Sequence, residues 1–136
     1  MDSAVTAYID ATYQKIRRLK QSEKCEVWLA VDDSGKFVII KRIFFAGLPY
    51  KVLKENPHPV CPKILYVSED EGQTLVIEEF THGKSLSDIL PEKGSLAEGE
   101  VKNILVQLCE GLILYLYAGN LPVEESYWCA EFEILN

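Results

Sequence analysis

Histidine is almost missing from this chain, with only His58 and His82 among its 136 residues. Neither stands in a pattern that arms a nucleophile. His58 lies between Pro57 and Pro59, close to Cys61, but no third residue is marked out to orient a Cys–His pair. Cysteine is also sparse, and Cys25, Cys61, Cys109 and Cys129 lie far apart with no C-x-x-C pair. That spacing suggests neither a zinc site nor a disulfide framework, and it predicts reduced thiols in a cytoplasmic protein. Positive charge is outweighed, with 14 Lys and Arg against 21 Asp and Glu for a net −7. Such a balance argues against nucleic acid and against anionic lipid, both of which want a basic surface. Long apolar runs are lacking as well. The longest, from Leu112 to Ala118, is too short to span a bilayer, and residues 1–12 have neither the basic start nor the apolar run of a signal peptide. The acid pairs Asp32–Asp33, Glu78–Glu79 and Glu124–Glu125 are neighbours in sequence. In a strand, neighbours point to opposite faces and cannot share a proton, so they read as solvated charge.

What remains is the composition of an ordinary globular domain, 48% hydrophobic and 26% charged, in a chain of single-domain size. The central stretch is Cys25 to Ile43, which reads as two strands, CEVWLAV and FVIIKRI, around an Asp-Ser-Gly turn at 33–35. In the second strand Phe37, Ile39, Lys41 and Ile43 share one face and Val38, Ile40 and Arg42 the other. Both faces are mostly apolar, so the strand is expected to be covered on both sides. A lysine placed there must snorkel to water or find an anionic partner.

Residues 1–12 suggest a short helical lead-in, and Tyr13–Leu19 a first strand. A proline-opened helix over Tyr50–Glu55 is stopped by Pro57, Pro59 and Pro62. Lys63–Ser68 and Thr74–Phe80 read as two further strands around an Asp-Glu-Gly turn at 70–72. The sum is about five strands in an antiparallel meander with one short helix after the third. Beyond Thr81 the pattern turns helical. Ser85 with Asp88 is a capping-box pattern for a segment closed by Pro91, and Ser95 with Glu98 is a second. Behind it Val101, Ile104, Leu105, Leu108, Leu112 and Leu116 trace a helical stripe, with Lys102, Asn103 and Gln107 marking a wet face. No linker divides the chain, which reads as one α+β unit.

This order of elements resembles the amino-terminal lobe of the bacterial eukaryotic-like Ser/Thr protein kinase family. VIIKRI (Val38–Ile43) is similar to that family's V-A-x-K strand, which makes Lys41 the match for the lysine that pairs a nucleotide's α- and β-phosphates. LKENPHPVCPKILYV (Leu53–Val67) looks like the end of the lobe's helix and the loop into its fourth strand. TLVIEEFTHGKSLSDIL (Thr74–Leu90) resembles the fifth strand, the hinge and the first helix of the second lobe. LVQLCEGLILYL (Leu105–Leu116) is similar to the long helix ahead of the catalytic loop. The resemblance implies an N-lobe over 13–80, a hinge over 81–84, the helical start of an incomplete C-lobe over 85–117 and a divergent tail over 118–136. It also implies nucleotide-binding positions at Lys41, Val27, Ile39, Glu78, Glu79 and Thr81, with Glu78 as gatekeeper and the backbone of Glu79 and Thr81 facing an adenine ring.

The departures from the family are as specific. The family's phosphate-cradling loop needs glycines, and Lys20–Cys25 (KQSEKC) has none. The position of the helix glutamate that pairs the strand lysine falls near Leu48 or Pro49, and Glu55 comes two turns too late. Aligning FEILN with the strand that follows a catalytic loop puts Trp128 at the catalytic Asp and Glu133 at the metal-holding Asn, and no D-F-G follows. The reading is therefore a truncated, kinase-like nucleotide-binding module unable to transfer phosphate alone. ATP binding is expected to be weak, about 4 kcal/mol or millimolar, and magnesium is not expected. The alternative is a protein–protein interaction scaffold that binds no nucleotide. A partner chain or self-association is expected through Leu112, Leu114, Tyr115 and Leu116, where the helix is apolar all round.

Overall fold

The computed structural model describes residues 3–70 and 72–118, the last five as backbone only. Their order is α1 (Ser3–Thr12), β1 (Tyr13–Gln21), β2 (Cys25–Asp32), β3 (Phe37–Ile43), α2 (Tyr50–Glu55), β4 (Ile64–Asp70), β5 (Gln73–Glu79), α3 (Leu86–Lys93) and α4 (Glu98–Ala118). The fold is α+β, a five-stranded antiparallel sheet followed by helices, in a layout consistent with the kinase-like lobe expected from the sequence. The divergent tail, with the positions aligned to a catalytic loop at Trp128 and Glu133, lies outside the described residues.

The sheet is not the simple meander expected. Its order is β1-β2-β3-β5-β4, so β5 sits between β3 and β4. The reason lies in the connection: α2 and its proline-rich exit carry the chain across the sheet, and β4 returns on the far edge. Strand β5 is consequently flanked on both sides, and Thr74 to Glu78 are all buried.

Strand parity sorts the side chains into two layers. Under α2 lie Cys25, Val27, Ile39, Ile43, Val76 and Ile64, packed with Leu48, Tyr50 and Leu53. Under α1 lie Ala30, Val38, Ile40, Leu75 and Ile77, closed by Ile9. Both faces of β3 are thus covered, as its two-sided apolar pattern predicts. Edge strand β1 is exposed along nearly its whole length, and its register shifts twice, between Lys15 and Arg17 and between Arg18 and Lys20. Lys15 and Arg18 both stack over the Trp28 ring, so cations cover what would be an open apolar flank.

The β2–β3 turn is held by a side chain one residue before the expected tripeptide. Asp32 Oδ1 accepts from Ser34 N at 2.9 Å, Ser34 Oγ at 2.6 Å and Lys36 N at 2.9 Å. Gly35 takes the positive φ of 84° that closes the turn.

Three helical expectations need correction. Helix α3 is capped by Ser85 as expected, its hydroxyl accepting from Asp88 N at 3.2 Å, but Pro91 does not end it. The helix runs on to Lys93 and stops at Gly94, φ 79°, whose N–H donates to Leu90 O at 2.8 Å. Pro91, inside the helix, forgoes the one bond that an N–H there would have made to Ser87 O, and Gly94 supplies the stop. Helix α4 does not start behind Ser95: it begins at Glu98, and Ala97 O receives the first bond, from Val101 N. The third correction concerns its faces. Gln107 and Gly111 are buried and Ile104 and Leu108 half-buried, while Val101 and Leu105 are exposed. Gln107 can be buried because its amide donates to Asn103 Oδ1 at 3.0 Å.

Candidate functional site

Lys41 stands at the middle of β3, opposite Val27 on β2 and Val76 on β5. Glu78 faces Ile39, one step along the same side of the sheet. The two are diagonal neighbours on one face, a separation that a long side chain can bridge. Lys41 Nζ lies 2.7 Å from Glu78 Oε1. The contact is close in distance but lies off the line of a hydrogen bond. Lys41 is 1% exposed and Glu78 3%, beneath the α2 layer of Val27, Ile39, Leu53, Ile64 and Val76.

A charge held this deep persists only because its opposite is beside it. The helix supplies no such partner. Leu48 and Pro49 are buried and apolar, and Glu55, the only acid in α2, is exposed. Strand β5 supplies it instead. The sequence carried one signal of this, an acid at the parity of Lys41 inside an apolar strand, but the signal is legible only once β5 is known to adjoin β3.

The other predicted site residues are spread over three environments. Val27 and Ile39 are buried in the α2 layer beside Lys41. Glu79 is turned to the opposite face, where its carboxylate meets Lys36 Nζ at 3.2 Å, and its N–H donates to Lys63 O at 2.9 Å. That amide is therefore engaged within the sheet. Thr81 is exposed in the irregular segment after β5. It is followed by His82, whose ring meets Phe80 edge-on at 4.8 Å.

The β1–β2 turn explains in atoms what the missing glycines imply. Ser22 Oγ accepts from Lys24 N and from Cys25 N, each at 3.2 Å, and Ser22 N donates to Cys25 O at 2.9 Å. The amides that a glycine loop would aim at a phosphate are here turned onto a serine of the same turn. A cavity of about 420 Å³ lies between the end of α2, the Pro57–Pro62 loop and the end of β5, lined by Leu53, His58, Cys61, Lys63, Glu78 and Glu79 among others. It shares Glu78 and Glu79 with the predicted set, whereas Lys41, Val27, Ile39 and Thr81 do not line it.

Among the described residues no cluster of His, Cys, Asp and Glu is placed to hold a metal ion, and no helix is long and apolar enough to cross a membrane. Comparison with known proteins adds no relative: no family model matches the chain, and no curated protein matches it.

Proposed function

We propose that this chain is a module of protein-kinase amino-lobe type that serves as a protein–protein interaction scaffold and does not use its lysine to hold a nucleotide. The support for the lobe is the order of parts: a lysine-bearing central strand, a short helix, a proline-marked loop, two strands and then helices. The single observation that carries the scaffold reading is the buried Lys41–Glu78 pair. A phosphate could reach Lys41 only by displacing Glu78, and the expelled carboxylate would be left in an apolar layer. The self-bonded Ser22 turn removes the second phosphate-binding device. The pair then acts as a fastener between β3 and β5.

A thermal-shift titration with ATP, with and without magnesium, tests this. No saturable rise in Tm is expected. A magnesium-dependent rise at micromolar ATP overturns the scaffold reading.

One observation favours a second reading, nucleotide binding at roughly millimolar affinity. Lys41 occupies the central strand position that the kinase resemblance assigns to the phosphate-pairing lysine. Glu78→Gln separates the two. If Glu78 competes with phosphate, the variant binds ATP more tightly; if the pair is structural, it loses stability and gains no binding.

A further inference from the structure

Helix α4 touches α2 through one side and presents an apolar seam on the other. Leu105 is 55% exposed, Val106 51% and Ile113 52%, and Cys109 is exposed between them. At 100° per residue, Lys102, Val106, Cys109 and Ile113 follow the 4-3-4 spacing by which one helix packs along another. This seam lies opposite Gln107 and Gly111, the buried positions, so the sheet and α2 cannot cover it.

We infer that the seam is a homodimer surface in which α4 of one copy lies antiparallel to α4 of a second, crossing at Val106. This names the partner for the scaffold proposed above and rests on that reading for its role, not for its geometry. The charge pattern selects the occupant. Lys102 stands four residues before Val106 and Glu110 four residues after it, both exposed, and neither has an ion-pair partner among the described residues. In an antiparallel pair crossing at Val106, residues at equal height have numbers that sum to the same value. Each Lys102 then stands level with the partner's Glu110, and the contact occurs twice by symmetry. A parallel pair would instead set Lys102 beside Lys102 and Glu110 beside Glu110. The antiparallel arrangement also opposes the two helix dipoles.

The test is a set of charge reversals at exposed positions, which leave the fold of the full chain undisturbed. Sedimentation across a dilution series is expected to show a dimer for the natural sequence. Lys102→Glu alone and Glu110→Lys alone each place like charges together twice, and each should weaken the dimer by about tenfold. An equimolar mixture of the two variants places opposite charges together in both contacts and should recover the dimer. Val106→Glu, at the crossing point, should give a monomer whose Tm equals that of the natural chain diluted until its dimer has dissociated. A natural chain that stays monomeric at every concentration overturns the inference. So does a mixture no tighter than its components, or a dimer rapidly cross-linked through Cys109 on mild oxidation, which a parallel pair would allow. A Tm of Val106→Glu below that of the dissociated natural monomer also overturns it, and assigns the seam's cover to the chain's own residues. ATP titration of the same samples keeps the two readings apart: a monomer that ignores ATP defeats the dimer alone, and a dimer that binds ATP tightly defeats the scaffold reading alone.

Discussion

The sheet and the helices that follow it are built on opposite terms. In β3 six of seven residues are buried or nearly so, and β5 holds five buried positions in a row, one of them a glutamate. Helix α3 buries nothing, and α4 buries only Gln107 and Gly111 among the positions described. The strands satisfy themselves, down to a lysine and a carboxylate sealed against each other. The helices carry leucines, valines and isoleucines that this chain's described residues do not cover. Among the described residues burial is therefore concentrated in the first region and apolar exposure in the second, and each prediction below probes that division.

The largest effect is expected where the sheet encloses charge. Glu78→Ala leaves the Lys41 ammonium buried without its partner and should cost about 3–5 kcal/mol of unfolding free energy. Replacing both, with Lys41→Met and Glu78→Leu, removes the need for either charge and should recover most of that loss or exceed the natural stability. Urea unfolding of the singles and the double gives the coupling directly. If the single variant unfolds at the natural midpoint, the pair is not the fastener described.

Next come apolar truncations on either side of the division. Ile77 is fully buried between β3 and β4 in the layer under α1, and Ile77→Ala should cost about 2–5 kcal/mol. Leu105→Ala on α4, at 55% exposure, should change monomer stability by less than about 0.5 kcal/mol. Similar losses for the two would dissolve the contrast between sheet and helix.

How much of this could be read from residues alone follows the range of the forces involved. The strands and the short helix were legible because alternation, turn residues and prolines act within a few positions. The Ser85 cap was legible for the same reason. The position of β5 was not, because strand order depends on how α2 and its exit loop return the chain, and nothing in QTLVIEE specifies a neighbour. The partner of Lys41 is hidden with it: the kinase resemblance points to the helix for an acid that the adjoining strand provides. The inner side of α4 departs from a rule of averages. The stripe places apolar residues inward and Gln107 outward, but Gln107 and Gly111 are the buried positions, and Asn103 satisfies the glutamine's amide there. Of the candidate site, the lysine was legible from its setting in FVIIKRI, and its chemistry was not.

The smallest effect is expected at the β2–β3 turn, on the rim of the sheet. The hydroxyl of Ser34, bonded to Asp32 Oδ1, together with the Lys36 amide holds the Asp32 carboxyl below its ordinary range. A carboxyl whose pKa is lower folded than unfolded binds protons more readily in the unfolded chain. Its contribution is thus complete above the ordinary aspartate range and fades as acid passes through the lowered folded value. Asp32→Asn keeps an oxygen that can accept the same three bonds but has no charge to lose. The variant should melt slightly below the natural chain at neutral pH, and the two melting curves should converge as the pH falls through the aspartate range. Asp32→Ala gives up the turn itself and should stay below both at every pH. A gap between Asp32→Asn and the natural chain that is constant from neutral to acid would mean that the carboxylate's charge takes no part in holding the turn, leaving the oxygen's position as its whole contribution.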